Sequence, residues 1–158
     1  MAINLSQKER LLLEDQKSHE ELCIEKYTKY ASQAQDPALK QLFNTYAQEE
    51  HQHLDTINQI LAGLDPSSNQ QGQQNQQNQQ VNFQSTNTSE TANENDEILC
   101  RDMLATEKYV SSTYDTTIFE CVDSNIRQVL NHIQKEEQDH GEGIFNYMQS
   151  HGMYNVKY

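Results

Sequence analysis

Apolar positions recur with helical spacing in two separate parts of the chain. Each part breaks once, at residues 35–37 and 122–124. At each break an Asp is suited to act as a helix N-cap, and Pro37 suits the first position of a helix. The pattern predicts four helices, over residues 8–34, 37–62, 95–121 and 124–149. Because helices joined by short breaks are antiparallel neighbours, we expect two antiparallel pairs, 8–62 and 95–149.

The segment between the two parts has a different composition. Residues 65–94 are rich in Gln and Asn and almost free of apolar residues, which predicts a disordered linker. A linker of this length can run the full length of a helix, so a long crossover between the second and third helices is allowed. We therefore predict an all-α, ferritin-like four-helix bundle in a single domain spanning residues 1–158, with a short tail at 150–158.

The second helix pair repeats the first at an offset of 87 residues without a gap. The breaks coincide, since Asp36 falls on Asp123, and several polar residues coincide with them. Such a match is explained equally by duplication of one helix pair and by convergence of two unrelated pairs on the same residue pattern. The matched polar pairs that matter here are Glu20 with Glu107, Tyr27 with Tyr114, Glu49 with Glu136, Glu50 with Glu137, and His53 with His140.

Acidic residues and histidines interrupt the apolar stripe of every predicted helix. Glu20 and Glu107 each occupy one step of a heptad series that is otherwise apolar or aromatic. Glu50 and His53 lie within the stripe of the second helix, and Glu137 and His140 take the same places in the fourth. Counted from the breaks, all four glutamates lie near mid-helix, so they are expected to meet in the bundle interior. The two heptad series are Leu13, Glu20, Tyr27, Ala34 and Cys100, Glu107, Tyr114, Cys121.

Four buried carboxylates need positive charge nearby, and no Lys or Arg occupies a matched stripe position. Two divalent metal ions would supply that charge, and two imidazoles would complete the coordination. One Glu from each of two helices and Glu-x-x-His from each of the other two is the ligand pattern of di-iron and di-manganese carboxylate bundles. The predicted metal ligands are Glu20, Glu50, His53, Glu107, Glu137 and His140, with iron or manganese as the metal. The alternative is an acidic core satisfied by water and hydrogen bonds.

The composition of the chain argues against some classes of binding partner. The formal net charge is −13 over 158 residues, which argues against nucleic acid and anionic membranes. No apolar run reaches the length of a signal peptide or a membrane helix, so we expect a chain that is cytoplasmic when synthesised. Three cysteines without CxxC spacing predict neither a disulfide framework nor a Cys-based metal site. They are interpreted as small buried residues.

We predict smaller roles for the other polar residues of the two helical halves. For Tyr27 and Tyr114, packing is preferred to hydrogen bonding with a ligand or electron transfer. Glu49 and Glu136 stand beside the stripe and are predicted to be solvated or to lie outside direct metal contact. Asp15 and Asp102 lie well round the helix from the candidate ligands. His19, His51, His132 and His151 have no histidine counterpart and are interpreted as surface or edge residues.

Two stretches resemble a known family. They are CIEKYTKYASQAQDPALKQLFNTYAQEEHQHLDTINQIL and LATEKYVSSTYDTTIFECVDSNIRQVLNHIQKEEQDHGEGIFNYM, and they resemble the Coat F domain proteins of endospore-forming bacteria. Helical topology and ligand pattern are also similar to rubrerythrin-like members of the ferritin superfamily. The resemblance implies a spore-coat-associated protein, made in the mother cell, with other coat proteins as partners and a homodimer as a candidate assembly.

The resemblance and the ligand pattern leave three functions open. The leading hypothesis is a spore coat protein that retains a carboxylate-bridged two-metal site. The second is a di-iron or di-manganese oxidoreductase acting on peroxide or dioxygen, although the cysteine-rich module of rubrerythrins is missing from the sequence. The third is a structural protein whose site is empty or holds zinc.

Overall fold

The computed structural model describes residues 2–67 and 93–158, and these form four long helices. They are α1 (Gln7–Gln33), α2 (Pro37–Leu61), α3 (Glu94–Glu120) and α4 (Ser124–Ser150). Each boundary lies within one residue of the predicted one, which confirms the all-α class and the two helix pairs. Most of the predicted linker lies outside the described residues. Within the described ranges, none of the helices combines the length and apolar character that crossing a membrane requires.

Each helix begins at a capping residue. Asp36 and Asp123 cap α2 and α4 by accepting hydrogen bonds from backbone N–H groups of the first turn, and Pro37 stands at the start of α2, as predicted. Ser6 and Glu9 form a capping box on α1. Asn93 caps α3. These residues satisfy N–H groups that would otherwise lack partners at the helix ends.

Adjacent helices of the bundle run antiparallel. Short turns join α1 to α2 and α3 to α4, and the two pairs contact through α1 with α3 and α2 with α4. Across the α1–α3 interface, Lys8 near the start of α1 pairs with Glu120 at the end of α3. Lys26 further along α1 pairs with Asp102 near the start of α3. The end of α2 and the start of α3 therefore lie at opposite ends of the bundle, an arrangement compatible with ferritin-like topology.

Two buried acids tie each helix pair to the turn of the other. The Glu9 carboxylate accepts hydrogen bonds from the backbone N–H groups of Ser6, at 2.7 Å, and Val122, at 2.8 Å. Asp96, 87 residues later, accepts from Gln35 N–H at 2.8 Å and Asp36 N–H at 2.9 Å. Since Val122 is itself the repeat counterpart of Gln35, the contacts are reciprocal. The halves are thus related by an approximate twofold axis.

The predicted stripes form the core. Both heptad series are buried throughout, including the glutamates that interrupt them. Cys23, Cys100 and Cys121 are buried and unpaired, and burial raises their thiol pKa values, which keeps them protonated. The stripe of α2 comprises Leu39, Leu42, Tyr46, Ile57 and Ile60, and that of α4 comprises Ile126, Val129, Ile133, Ile144 and Tyr147; all ten are buried.

Candidate metal centre

The six predicted ligand residues converge at the middle of the bundle. Their side chains are almost completely buried, with exposed fractions of 3% or less. They form two overlapping groups whose donor atoms lie within 4.8 Å of one another. The first group is Glu20, Glu50, His53 and Glu137, and the second is Glu50, Glu107, Glu137 and His140.

The overlap of the two groups assigns different positions to the glutamates. Glu50 and Glu137 belong to both groups, whereas Glu20 and Glu107 belong to one each. The 87-residue offset converts each group into the other. Glu50 and Glu137 therefore lie where carboxylates that bridge two ions would be needed, and Glu20 and Glu107 lie at the two ends.

Each histidine presents one nitrogen to the carboxylate cluster and the other to an outer acid. His53 Nδ1 lies 3.0 Å from Glu50 Oε2 and 3.3 Å from Glu137 Oε1, while its Nε2 lies 2.7 Å from Glu136 Oε2. His140 repeats this arrangement: Nδ1 lies 3.2 Å from Glu50, and Nε2 lies 2.5 Å from Glu49. An imidazole that donates its Nε2–H to a carboxylate has its Nδ1 lone pair free for a metal ion.

Glu49 and Glu136 therefore have a specific place beside the centre. The sequence interpretation allowed them to be solvated or to lie outside direct metal contact, and the structure favours the latter. Each binds the histidine of the other helix pair across the α2–α4 interface. Their side chains are 38% and 37% exposed, so they connect the buried imidazoles to the surface of the bundle.

The two matched tyrosines also contact the cluster, contrary to the preference for packing alone. Tyr27 donates a 2.5 Å hydrogen bond to Glu107 Oε1, and Tyr114 donates one to Glu20 Oε1. Both tyrosines are fully buried. Each again crosses to the opposite half, because α1 and α3 are antiparallel and bring a tyrosine two turns along one helix level with the glutamate of the other.

The remaining polar residues of the repeat lie away from the cluster. Asp15 is exposed, and Asp102 binds Lys26 and Tyr30. Three of the unmatched histidines are exposed and His19 is half-buried. These placements agree with the minor roles that the sequence predicted for them.

The buried carboxylates of the cluster are not all ionised at neutral pH in the absence of a cation. Burial and the charges of neighbouring glutamates raise the pKa of Glu50 to about 7, and the pKa of Glu107 to about 8. The same causes raise the pKa of Glu137. Burial also opposes ionisation of Glu20, but hydrogen bonding to His53 outweighs it and lowers the pKa to about 2. Without a cation, the cluster must therefore hold protons.

The histidines are drawn into the same balance. Burial lowers the pKa of His53. The carboxylates around its ring nitrogens outweigh this effect and raise that pKa well above the usual value; they belong to Glu136, Glu137, Glu20 and Glu50, at 2.7, 3.3, 3.6 and 3.0 Å. The pKa of His140 is raised in the same way. Protonated imidazoles therefore compensate part of the carboxylate charge, and a divalent cation would have to displace these protons to bind.

Several carboxylate oxygens of the cluster are buried without a hydrogen-bond partner among the described residues. They are Glu20 Oε2, Glu107 Oε2 and both carboxylate oxygens of Glu137. Leaving such an atom unsatisfied normally costs about 1–3 kcal/mol, and more when it is charged. Hard oxygen donors and neutral imidazoles are ligands that iron, manganese and zinc accept. The donor set is thus one that could hold divalent metal.

Comparison with known proteins gives a family match for the second half of the chain. Residues 95–157 match the family model of the Coat F domain, so the resemblance is confirmed for α3, α4 and most of the tail. The match covers the second helix pair only, and the first pair is linked to it by the internal repeat. Comparison with curated proteins and with solved structures gives no significant match.

Proposed function

We propose that this chain, which carries a Coat F domain over residues 95–157, is a spore coat protein whose core holds two divalent metal ions. Glu50 and Glu137 would be shared by the two ions, and Glu20 with His53, and Glu107 with His140, would hold one ion each. The observation that carries the metal proposal is the pair of overlapping four-residue groups, buried and related by the repeat.

The metal ions supply positive charge to a core that would otherwise hold four acids. The surrounding residues orient the ligands: Glu136 and Glu49 hold the imidazoles, and Tyr27 and Tyr114 hold the terminal carboxylates. Because every one of these contacts joins one helix pair to the other, ion binding would lock the two halves together. A compact, metal-stabilised bundle suits a protein that must persist in a dormant coat.

The coat assignment is tested by following the full-length protein through sporulation. A fluorescent fusion in an endospore-forming host should remain in the mother cell and then form a ring at the spore surface. Decoated spores should lose the signal. A fusion that stays diffuse in the mother cell, or that is enclosed within the spore core, would contradict the proposal.

The metal proposal is tested through the opposite effects of one substitution on two forms of the protein. Glu50→Gln removes a buried charge, so it should leave the chelator-treated protein as stable as the wild type or more stable. With metal present, the wild type should gain stability by ligand binding and the variant should gain much less. Equal metal-dependent stabilisation of both proteins would contradict a bridging role for Glu50.

A second candidate function is an oxidoreductase acting on peroxide or dioxygen with iron or manganese. It is favoured by two buried tyrosines hydrogen-bonded to the terminal glutamates, since tyrosines so placed can pass protons and electrons to a redox-active centre. Redox-active metals would supply the electron transfer. Peroxide consumption by the iron- or manganese-loaded protein, lost in Glu137→Ala, would support this function; two bound metals without turnover would favour the coat protein alone.

A further inference from the structure

A groove on the surface reaches one end of the candidate metal centre. A groove of about 560 Å³ lies between α3 and α4 and ends at Glu107 and Glu137. Its walls include Ser111, Gln134 and Gly141, and most of the surface that they expose is apolar, although many of the lining residues are polar in type. Glu107 and Glu137 form its floor and are themselves almost fully covered, at 2% and 0% exposure.

A glycine keeps this groove open. A Cβ atom added to Gly141 would meet only Leu104 Cδ1, at 3.8 Å, which is ordinary van der Waals contact. Glycine in the middle of a helix costs roughly 0.5–1 kcal/mol relative to alanine, yet no contact at this position requires it. The space that a larger side chain would occupy at residue 141 is therefore part of the groove.

The first helix pair has larger or apolar residues at the corresponding positions. Under the 87-residue offset, Gly141 corresponds to Leu54, Ser111 to Ile24, and Gln134 to Ala47. Leu54 and Ile24 are half-buried. The ligand residues are thus repeated faithfully, whereas the residues that control the approach to them are not.

Unpaired oxygens occur at both ends of the cluster, since Glu20 Oε2 also lacks a hydrogen-bond partner among the described residues, but the groove reaches only some of them. Glu107 Oε2 and both oxygens of Glu137 lie buried without a hydrogen-bond partner within the described residues. These are the residues on which the groove ends. Glu137 is shared by both groups, whereas Glu107 belongs only to the second, so a molecule in the groove approaches the terminal carboxylate of the second group.

We propose that the α3–α4 groove is the entry for a small exogenous ligand, a diatomic or triatomic oxygen or nitrogen donor, to the metal bound by Glu107 and His140. The groove leads to the carboxylate of Glu107, which belongs to that end of the cluster alone. The proposal rests on the proposed metal centre, but it concerns only one of its two ends.

Cobalt(II) and azide provide the test. Cobalt(II) binds carboxylate and imidazole ligands. Its visible absorption spectrum reports both the occupancy of the site and a change in its ligands. Azide titration of the cobalt-loaded wild type should change the spectrum with saturation. Gly141→Leu, which copies the first half of the chain, should keep the azide-free spectrum but weaken azide binding by about tenfold or more. Ser111→Ile, on the opposite wall, should act in the same way.

The control is Asn146→Leu, which adds the same side chain at an exposed position of α4 and should leave azide binding unchanged. Azide binding of wild-type strength in both groove variants would overturn the proposal while leaving the metal centre intact, as would failure of the wild type to bind azide. Absence of a protein-bound cobalt spectrum in the wild type would instead overturn the metal centre, and the entry proposal with it.

Discussion

Nε2 of His53 lies 2.7 Å from the carboxylate of Glu136, across the interface between α2 and α4. The repeat reproduces this contact between His140 and Glu49. Each imidazole is thereby held by an acid of the opposite helix pair while its Nδ1 faces the buried carboxylates. The proposed centre depends on the association of the two halves as much as on its six ligands.

Replacing one of these outer acids should weaken metal binding without removing a ligand. Glu136→Ala leaves the His53 Nε2–H without its acceptor, so the apparent metal affinity should fall by about 10–100-fold. Competition with a chromogenic chelator measures this loss. Glu142→Ala, at an exposed position of the same helix, is the control and should bind metal like the wild type. Equal affinity in both variants would exclude a role for Glu136 in orienting His53.

The buried tyrosines should contribute measurably to stability through their hydroxyl groups. Tyr27→Phe preserves the ring but removes the hydrogen bond to Glu107, and it should lower the free energy of unfolding by about 1–3 kcal/mol. Denaturant unfolding with and without chelator measures the loss. Tyr109→Phe changes a 61% exposed ring and should cost little. If the two substitutions cost the same, Tyr27 serves only for packing.

The two glycines of α4 that lie two residues apart should respond oppositely to alanine. A Cβ on Gly143 would overlap the Tyr46 hydroxyl and lie 3.0 Å from Tyr46 Cζ, and the Tyr46 ring stacks on His140 with centroids 4.3 Å apart. Gly143→Ala should therefore displace Tyr46 and destabilise the protein by about 1–3 kcal/mol. Gly141→Ala has room and should stabilise it by roughly 0.5–1 kcal/mol.

Thermal unfolding of the two alanine variants, at matched metal content, provides the comparison. A stabilised Gly143→Ala protein would show that Tyr46 does not need the space above Gly143. Tyr46 has no tyrosine counterpart in α4, where Ile133 stands in its place, so the stacked ring is a second difference between the two ends of the centre.

The contact between Glu9 and the α3–α4 turn should make stability depend on pH. Burial raises the pKa of Glu9, but hydrogen bonds from Val122 and Ser6 outweigh it, and the net pKa is lowered. A group whose pKa is lower in the folded state stabilises the protein above its unfolded pKa, and this contribution disappears as the pH falls through the folded value.

Glu9→Gln should accordingly lower the free energy of unfolding by about 1–2 kcal/mol at pH 7, and the deficit should shrink below about pH 4. Urea unfolding across this range measures the difference. Glu14→Gln, at an exposed position of α1, should show no such dependence. A deficit in Glu9→Gln that is constant with pH would mean that the ionised carboxylate is not what holds the turn.

Local signals in the sequence were sufficient to predict the helices and the candidate ligands. Asp36 with Pro37, and Asp123, marked helix starts because capping depends on neighbouring residues only. The apolar stripes predicted which face is buried, and hence that Glu20 and Glu107 point inward. The linker of residues 65–94 was evident from composition, although most of it lies outside the described residues.

Contacts between helices were harder to predict, because they depend on how each helix is rotated and on its height relative to its neighbours. Glu49 and Glu136 stand beside the stripe, and only the α2–α4 packing shows that they face a histidine. The Tyr27 to Glu107 contact requires the antiparallel register of α1 and α3. The reciprocal Glu9 and Asp96 contacts had a sequence signal, since the 87-residue offset continues to these positions.

The number of metal ions bound per chain tests the central claim most directly. Chelator-treated full-length protein is incubated with manganese(II) or iron(II) under anaerobic conditions, and unbound metal is then removed. The metal content is measured by inductively coupled plasma mass spectrometry. The wild type should retain about two ions per chain, Glu20→Ala about one, and Glu50→Ala fewer than one, because Glu50 belongs to both groups. Fewer than about one ion in the wild type, or an equal content in all three proteins, would contradict the two-metal centre.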